Sequence, residues 1–220
     1  SVGATLASNL AVAVAADSLA VTGVVAGTGS LTKSGAGLLT LGGANTFTGG
    51  ATVTAGTLAL GHASALGTAA ATVTGGTLDL GGFTVTNAVS LTDGVLSNGS
   101  LSNSSLAVAA GTVSANLAGS TAVTKTGTGT ATLAVANTYT GATAVSNGTL
   151  ALGDVAALGT STVTVAAGAT LDLAGLNATG ATLLLNGGTI ANASAYTGSV
   201  GFAAITSFGA ADLTSLDANV

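Results

Sequence analysis

Short segments of the chain alternate apolar and polar residues with a period of two. Examples are Thr52-Val53-Thr54, Thr72-Val73-Thr74 and the Thr-Leu-x-Leu segments that begin at Thr57 and Thr77. Period two is typical of β-strands, and it places the valines and the paired leucines inside. Because sustained helical periodicity is missing, the pattern predicts strands of three to five residues separated by Gly or Asn turns.

A Gly followed by a small or β-branched residue, and usually then by an aliphatic one, recurs at intervals of 17 to 20 residues. These motifs begin at Gly37, Gly56, Gly76, Gly94, Gly111, Gly129, Gly148, Gly168 and Gly188. The interval suits one coil of a β-solenoid and is too short for a helical pair. One coil cannot bury its apolar face, but stacked coils share a continuous Leu and Val interior. We therefore predict an all-β parallel β-solenoid of about 11–12 coils, with roughly 19 residues per coil and a length of roughly 55 Å.

A longer repeat contains several of these coils. Residues 31–68 return as residues 123–160 at an offset of 92, with 22 of 38 positions identical. Each long repeat then holds about five coils. No Pro-rich, charged or Ser-rich linker interrupts the pattern. We therefore predict one domain, residues 1–220, containing two long repeats at approximately 28–119 and 120–211.

The long repeat carries a set of specific motifs. In the first copy these are Thr32-Lys33 with Gly35 and Gly37, then Asn45-Thr46-Phe47-Thr48-Gly49, and then Gly56-Thr57-Leu58 with Leu60-Gly61. On these residues the chain resembles the autotransporter-associated β-strand repeat of bacterial surface passengers and giant adhesins. The resemblance implies a right-handed parallel β-helix exported from a Gram-negative-type cell. A full autotransporter carries further segments, so we expect a mature exported subunit or a segment of a longer protein.

Eight repeat positions are predicted to have structural roles at turns. They are Asn45, Phe47, Gly49 and Gly56, with their counterparts Asn137, Tyr139, Gly141 and Gly148. We expect the asparagines to hydrogen-bond the backbone at tight turns, with Phe47 and Tyr139 packing nearby. Glycine provides backbone conformations with positive φ at such turns.

The charge balance limits the classes of partner. The chain has seven Asp, two Lys and no Arg, for a net charge of -5. Phosphate binding needs clustered Lys or Arg, so nucleic acid is excluded as a partner, and anionic membrane surfaces are disfavoured. The absence of Cys is compatible with secretion. The mean hydropathy is +0.76 and only 4% of the residues are charged, so the outer surface must be mostly Thr, Ser, Ala and Val. Such a surface favours lateral or end-to-end association between molecules.

The carboxylates do not form a pattern typical of a catalytic or metal site. Asp79 and Asp172 occupy equivalent outward positions about five coils apart, roughly 24 Å, which is too far for a carboxylate pair. Asp93 follows Asp79 by 14 residues and is interpreted as a solvated turn carboxylate, although it could approach Asp79. We predict no enzymatic activity, no cofactor, no metal and no small-molecule substrate.

The basic residues are likewise interpreted as structural. His62, whose counterpart in the second copy is Asp154, is expected to be an exposed turn residue. Lys33 and Lys125 occupy matching positions and are interpreted as polar residues at a strand edge that discourage sliding.

The ends of a solenoid expose unpaired strand edges, which soluble monomers normally cover. The tail from Phe202 to Val220 is one candidate cap, and an ordinary last coil is the alternative. We predict a non-enzymatic extracellular structural rod that binds copies of itself through its terminal coils at the bacterial surface or in its matrix. A spacer or adhesive module of a larger surface protein remains open, with possible contacts to other surface or matrix components. Ice binding through outward Thr-x-Thr ranks is only a minor alternative, because the pattern predicts that the rank breaks after Thr72-Val73-Thr74.

Overall fold

The computed structural model describes residues 4–193 and the backbone of residues 200–204. Across this part the chain forms 26 strands of two to five residues and no helix. Accordingly, the described residues contain no helix long and apolar enough to cross a membrane. The predicted tail cap, Phe202 to Val220, lies outside the side chains that the structure describes.

The strands follow one another in chain order as β1 (Ala4–Leu6), β2 (Leu10–Ala13), β3 (Ser18–Val21), β4 (Val25–Gly27), β5 (Leu31–Ser34), β6 (Leu38–Leu41), β7 (Ala51–Val53), β8 (Thr57–Leu60), β9 (Ala71–Val73), β10 (Thr77–Asp79), β11 (Thr84–Val85), β12 (Val89–Leu91), β13 (Val95–Ser97), β14 (Ser100–Ser102), β15 (Ser105–Val108), β16 (Gly111–Val113), β17 (Asn116–Ala118), β18 (Ala122–Lys125), β19 (Thr130–Leu133), β20 (Thr143–Val145), β21 (Thr149–Leu152), β22 (Thr162–Ala166), β23 (Thr170–Asp172), β24 (Thr182–Asn186), β25 (Thr189–Ala191) and β26 (Val200–Ala204).

Two long parallel sheets organise these strands. Sheet 1 has eleven strands in the order β2-β5-β7-β9-β12-β15-β18-β20-β22-β24-β26, and sheet 2 has ten in the order β3-β6-β8-β10-β13-β16-β19-β21-β23-β25. A three-stranded sheet, β11-β14-β17, pairs a further segment of three coils, and β1 pairs with β4 near the start. Each coil contributes one strand to each long sheet, so the predicted all-β solenoid of stacked coils is confirmed.

The coils differ slightly in length. Register partners on neighbouring strands are 17 residues apart at Val89 and Leu106 and 21 apart at Leu10 and Leu31, close to the predicted interval. Within the described residues, the ten strands of sheet 2 extend from Ser18 to Ala191 and make about nine turns. The prediction of 11 or 12 coils counted all 220 residues. The ten spacings of sheet 1 span about 48 Å.

The interior is a stack of Leu and Val side chains from both long sheets. Leu58, paired in register with Leu78, has no exposed surface, and neither does Leu78. Val53 and Val73 are buried in sheet 1, as their period-two pattern predicts. Burial of each such side chain stabilises the fold by about 1.5–3 kcal/mol. The continuous interior therefore exists only because each inner coil has a neighbouring coil on both sides.

The first coil shows what happens when one neighbour is missing. Leu10 in β2 is 43% exposed, whereas its register partner Leu31 in β5 is 3% exposed. Leu19 in β3 is 44% exposed, and its partner Leu39 in β6 is fully buried. Sheet 1 ends at β2 and sheet 2 ends at β3. Within the described residues, this end of the solenoid therefore presents apolar side chains and two unpaired strand edges.

Truncation of an interior leucine tests the contribution of stacking. We expect Leu78→Ala to lower the free energy of unfolding by about 2–5 kcal/mol, because it leaves a cavity in the interior. The measurement is urea unfolding followed by circular dichroism. Leu10→Ala removes the same atoms from a 43% exposed side chain and should cost clearly less. Equal losses for the two variants would contradict this account of the core.

Candidate functional site

The two repeat asparagines connect three successive coils. Asn45 accepts a hydrogen bond from the Val25 N–H at 2.8 Å and donates one to the Ala65 carbonyl at 2.6 Å. Asn137 makes the matching pair of bonds, with Leu117 N at 2.8 Å and the Ala157 oxygen at 2.7 Å. Both side chains are buried. Each amide therefore joins the coil before its own to the coil after it.

The aromatic side chains near these asparagines are both buried, but Tyr139 also has a hydroxyl group that forms hydrogen bonds. Phe47 and Tyr139 have no exposed surface. The Tyr139 hydroxyl lies 2.8 Å from Thr143 Oγ1, which lies 3.2 Å from Ser161 Oγ. Burial raises the pKa of Tyr139, and the hydrogen bonds to the two hydroxyls oppose that rise.

The hydroxyl chain beside Tyr139 is specific to the second copy. At the positions 92 residues before Thr143 and Ser161 the first copy has Ala51 and Ala69. The change from Phe to Tyr is therefore accompanied by two hydroxyls that satisfy its polar atom, as a buried tyrosine requires. These partners were absent from the sequence prediction, although a comparison of the two copies contains the signal.

The repeat glycines lie where neighbouring coils approach closely. Gly56 and Gly148 have φ of 65° and 63°, in the left-handed region that favours glycine. Gly49 and Gly141 have ordinary backbone angles, but a side chain there would overlap the backbone of the preceding coil. Two different constraints thus select glycine at these four positions.

The interpretation of Lys33 and Lys125 as residues at a strand edge is wrong. Both side chains are fully buried, and their strands β5 and β18 lie inside sheet 1. Lys33 Nζ donates to the carbonyl oxygens of Ser34 at 2.8 Å, Gly35 at 2.7 Å and Ala55 at 3.1 Å.

Lys125 repeats this arrangement in the second copy. Its Nζ donates to the carbonyl oxygens of Gly127 and, at 3.1 Å, Asn147. Burial lowers the pKa of both lysines below the ordinary value of 10.5. The period-two pattern, in which Lys33 follows the inward Leu31 by two residues, contains the signal for burial, but the charge of lysine argued against it.

Carboxylates lie on the outer surface and bind nearby backbone and amide groups. Asp79 accepts hydrogen bonds from Gly81 N at 2.7 Å and Asn98 Nδ2 at 2.8 Å. Asp172 makes the equivalent pair, with Ala174 N and Asn192 Nδ2, both at 2.8 Å. Both aspartates are half-buried, between inward leucines, so their predicted outward positions are confirmed.

The remaining polar turn residues also accept hydrogen bonds from backbone N–H groups. Asp93 accepts a hydrogen bond from its neighbour Gly94 N at 2.8 Å. Exposed His62 accepts one from Ser64 N at 3.0 Å, and its counterpart Asp154 accepts one from Ala156 N at 2.8 Å. The predicted exposure of His62 is confirmed. Among the described residues, no group of three or more His, Cys, Asp or Glu side chains could hold a metal ion.

The outward face of sheet 1 carries the threonine rank considered for ice binding. Thr52 and Thr72 are register partners on adjacent coils, as expected. The rank is longer than the sequence indicates, because Thr32 precedes it and Ser90 follows it. It is interrupted at Ala107, which follows Ser90 on the next coil. Ice binding stays a prediction on a hydroxyl rank four coils long.

A shallow groove of about 390 Å³ opens on this same face. Its walls are small side chains between Ala70 and Thr124, and they include Ser90, Ser105 and Ala107. None of the residues that line it is an acid, a base or a histidine. The groove thus offers hydroxyl groups without a base to activate them.

Comparison with known proteins identifies the repeats. Residues 31–60 and residues 123–152 match the model of the passenger-associated-transport-repeat family. These ranges contain the motifs from Thr32 to Leu60 and their second copy. The resemblance to an autotransporter passenger repeat is therefore confirmed. No curated protein and no solved structure matches the chain.

Removal of one repeat asparagine tests its role between coils. We expect Asn45→Ala to lower the free energy of unfolding by about 2–4 kcal/mol, because it leaves the buried Val25 N–H and Ala65 carbonyl without partners. Asn116 makes one exposed bond, from Nδ2 to the Ala136 oxygen at 3.0 Å, so Asn116→Ala is the control and should cost less than about 1 kcal/mol. If both variants unfold at the same urea concentration, the buried asparagine has no special role.

The buried lysines predict a pH dependence of stability. Because their folded pKa is lowered, the unfolded chain binds more protons than the folded chain between the lowered pKa and the ordinary value of 10.5. The free energy of unfolding should therefore rise with pH in that window. The measurement is urea unfolding between about pH 7 and pH 9, below the ordinary tyrosine pKa of about 10, at which Tyr139 of the unfolded chain titrates. The rise should disappear in the double variant Lys33→Met, Lys125→Met. If the free energy of unfolding of that variant still rises with pH by the same amount, the buried lysines are not the cause.

Proposed function

We propose that this chain, a β-solenoid with two passenger-associated-transport repeats, is a non-enzymatic extracellular rod that binds copies of itself end to end. Its repeats and its solenoid fold both fit an autotransporter passenger-type module. In this proposal the copies assemble through the first coil. The observation that carries it is the exposure of interior-type leucines at that coil.

The hydrogen bonds of the polar side chains, both buried and exposed, support a mechanical role. Buried asparagine, lysine and tyrosine side chains bond to backbone carbonyls, backbone amides or neighbouring hydroxyls. The exposed turn carboxylates likewise bond to backbone N–H groups, as Asp93 does to Gly94. Polar groups that stabilise the chain's own backbone are not arranged around a substrate. This distribution favours a stiff support over a catalyst.

The open first coil supports self-association. Leu10 and Leu19 occupy positions that are buried in the next coil, and the edges of β2 and β3 have free backbone hydrogen-bonding groups. A further parallel coil would cover both features at once, since unpaired edges are templates for strand addition. In the proposed assembly, the last coil of a second copy supplies the parallel strands that pair with these edges. Addition of this kind is head-to-tail and produces an open filament.

The composition and the repeat family support an extracellular location. Passenger repeats belong to exported proteins, and the absence of Cys is compatible with that environment. The net charge of -5, with only two lysines that are both buried, supports partners other than nucleic acid. A bacterial surface or its matrix is the site we propose.

A spacer role within a longer passenger is the second candidate function. The same open coil favours it, because a preceding coil of a longer chain would bury Leu10 and Leu19 in the same way. The two candidates differ in what the purified chain does. Self-association requires that separate molecules bind each other, whereas a spacer requires only that the coils continue within a single longer chain.

Electron microscopy and sedimentation of the purified chain distinguish the two. We expect unbranched filaments with an axial repeat of about 53 Å, the ten spacings of sheet 1 plus one at the joint, and assembly that increases with protein concentration. Leu10→Lys and Leu19→Lys should each reduce assembly strongly, because a charge at the joint must be desolvated. Val155→Lys is the matched control, since Val155 is also 44% exposed but lies in the turn between β21 and β22.

Discrete rods at every concentration would overturn self-association and favour the spacer. Equal loss of assembly in the Val155 control would show that filaments form by lateral contacts rather than coil on coil. Assembly that persists in the Leu10 and Leu19 variants would remove the first coil from the proposal.

A further inference from the structure

The two buried lysines replace valine or leucine in an apolar row. Each lysine lies on the inward face of sheet 1, where its register neighbours on both sides are valines: Val12 and Val53 for Lys33, and Val108 and Val145 for Lys125. Nothing about packing alone requires a cation in this row. The hydrogen bonds of the amines must therefore supply the reason.

The turn after each lysine is longer than the turn on the next coil. Leu39, the next inward side chain, lies six positions after Lys33, whereas Leu58 lies five positions after Val53. The second copy repeats the difference, with six residues from Lys125 to the buried Ala131. The longer turn presents extra carbonyl groups to the interior, and the ammonium binds them.

One acceptor of each ammonium belongs to the next coil. Lys33 Nζ reaches the Ala55 carbonyl 22 residues ahead, and Lys125 Nζ reaches the Asn147 carbonyl, also 22 residues ahead. The position of the neighbouring strand decides whether this third bond forms. A buried polar group of this kind can specify register at a cost in stability.

The apolar pattern alone leaves the register ambiguous. Because side chains alternate with period two, a slip of two residues keeps the inward set inside. In β5 the inward residues are Leu31 and Lys33, and in β7 they are Ala51 and Val53. A slip of two residues would keep small or aliphatic residues facing the interior, but it would separate Lys33 from the Ala55 carbonyl.

Sheet 2, whose described strands contain no lysine, shows an offset of two residues between equivalent positions of the two repeats. Five steps along sheet 1 lead from Lys33 to Lys125, its counterpart at the repeat offset of 92. Five steps along sheet 2 lead from Leu39 to Leu133, two residues beyond its counterpart Ala131. Equivalent residues of the two repeats are therefore aligned in sheet 1, which contains the lysines, and shifted by two residues in sheet 2.

We infer that Lys33 and Lys125 determine the register of sheet 1, because each ammonium completes its hydrogen bonds only when the next coil is in the native position. The lysine selects one pairing among several that the apolar pattern allows. The long turn and the lysine act together, the first presenting carbonyls and the second binding them across coils.

Cysteine pairs test this inference, because the chain has no cysteine of its own. Thr32 and Thr52 are register partners on the outer face, so Thr32→Cys with Thr52→Cys reports the native register. Thr32→Cys with Thr54→Cys reports a two-residue slip, since in the native register these Cα atoms are about 8 Å apart, too far for a disulfide. Each pair is refolded at low protein concentration under oxidising conditions, alone and with Lys33→Met. The fraction of cross-linked chain is read by mass spectrometry.

With Lys33 present we expect the native pair to cross-link and the slipped pair to remain reduced. With Lys33→Met the ratio of slipped to native cross-links should rise about tenfold, the discrimination that one buried hydrogen-bonding group provides. Val53→Met is the matched control, because it changes the same apolar row next to Lys33 and should leave the ratio unchanged.

Lys125→Met is a second, independent test in the other copy. There the native pair is Thr124 with Ala144, and the slipped pair is Thr124 with Ser146. An unchanged ratio in both lysine variants would overturn the inference. Complete loss of folding in both variants would also overturn it, because the lysines would then stabilise the turns rather than select the register.

Discussion

Backbone hydrogen bonding between neighbouring coils is the constraint on which the rest of this structure depends. Each strand of the two long sheets pairs with the equivalent strand about one coil earlier and one coil later. A single coil has too little apolar surface to fold, so the interior exists only as a stack. Every other feature, from buried glycines to exposed turn carboxylates, fits within a spacing of about 4.8 Å between coils.

That close spacing explains how the chain uses its few polar side chains. Asn45 and Asn137 bond to the coils on both sides, and Lys33 and Lys125 bond to their own turn and to the next coil. In each case the side chain supplies hydrogen bonds where the backbone of one coil cannot meet that of its neighbour. Since an unsatisfied buried polar group is costly, these side chains keep the buried backbone groups that they contact hydrogen-bonded.

Stacking also has a consequence at the ends. The forces that bury Leu39 and Leu31 inside the solenoid act equally on Leu19 and Leu10, but the first coil has a neighbour on one side only. The passenger-type repeats and the solenoid fold fit an autotransporter passenger-type module. The proposal of end-to-end assembly rests on the exposure of Leu10 and Leu19 in the first described coil.

The sequence by itself determined the architecture, because period two and a recurring glycine are local properties that stacking then preserves. The inward positions of Val53, Val73 and the paired leucines follow directly from that pattern. The tertiary structure alone decided the hydrogen-bond partners of Lys33 and Lys125, since only folding brings the Ala55 and Asn147 carbonyls to them. The two-residue shift in sheet 2 and the number of turns were decided there too. Register is a relation between strands that are distant in the chain, and the apolar pattern of one strand cannot distinguish pairings that differ by two residues.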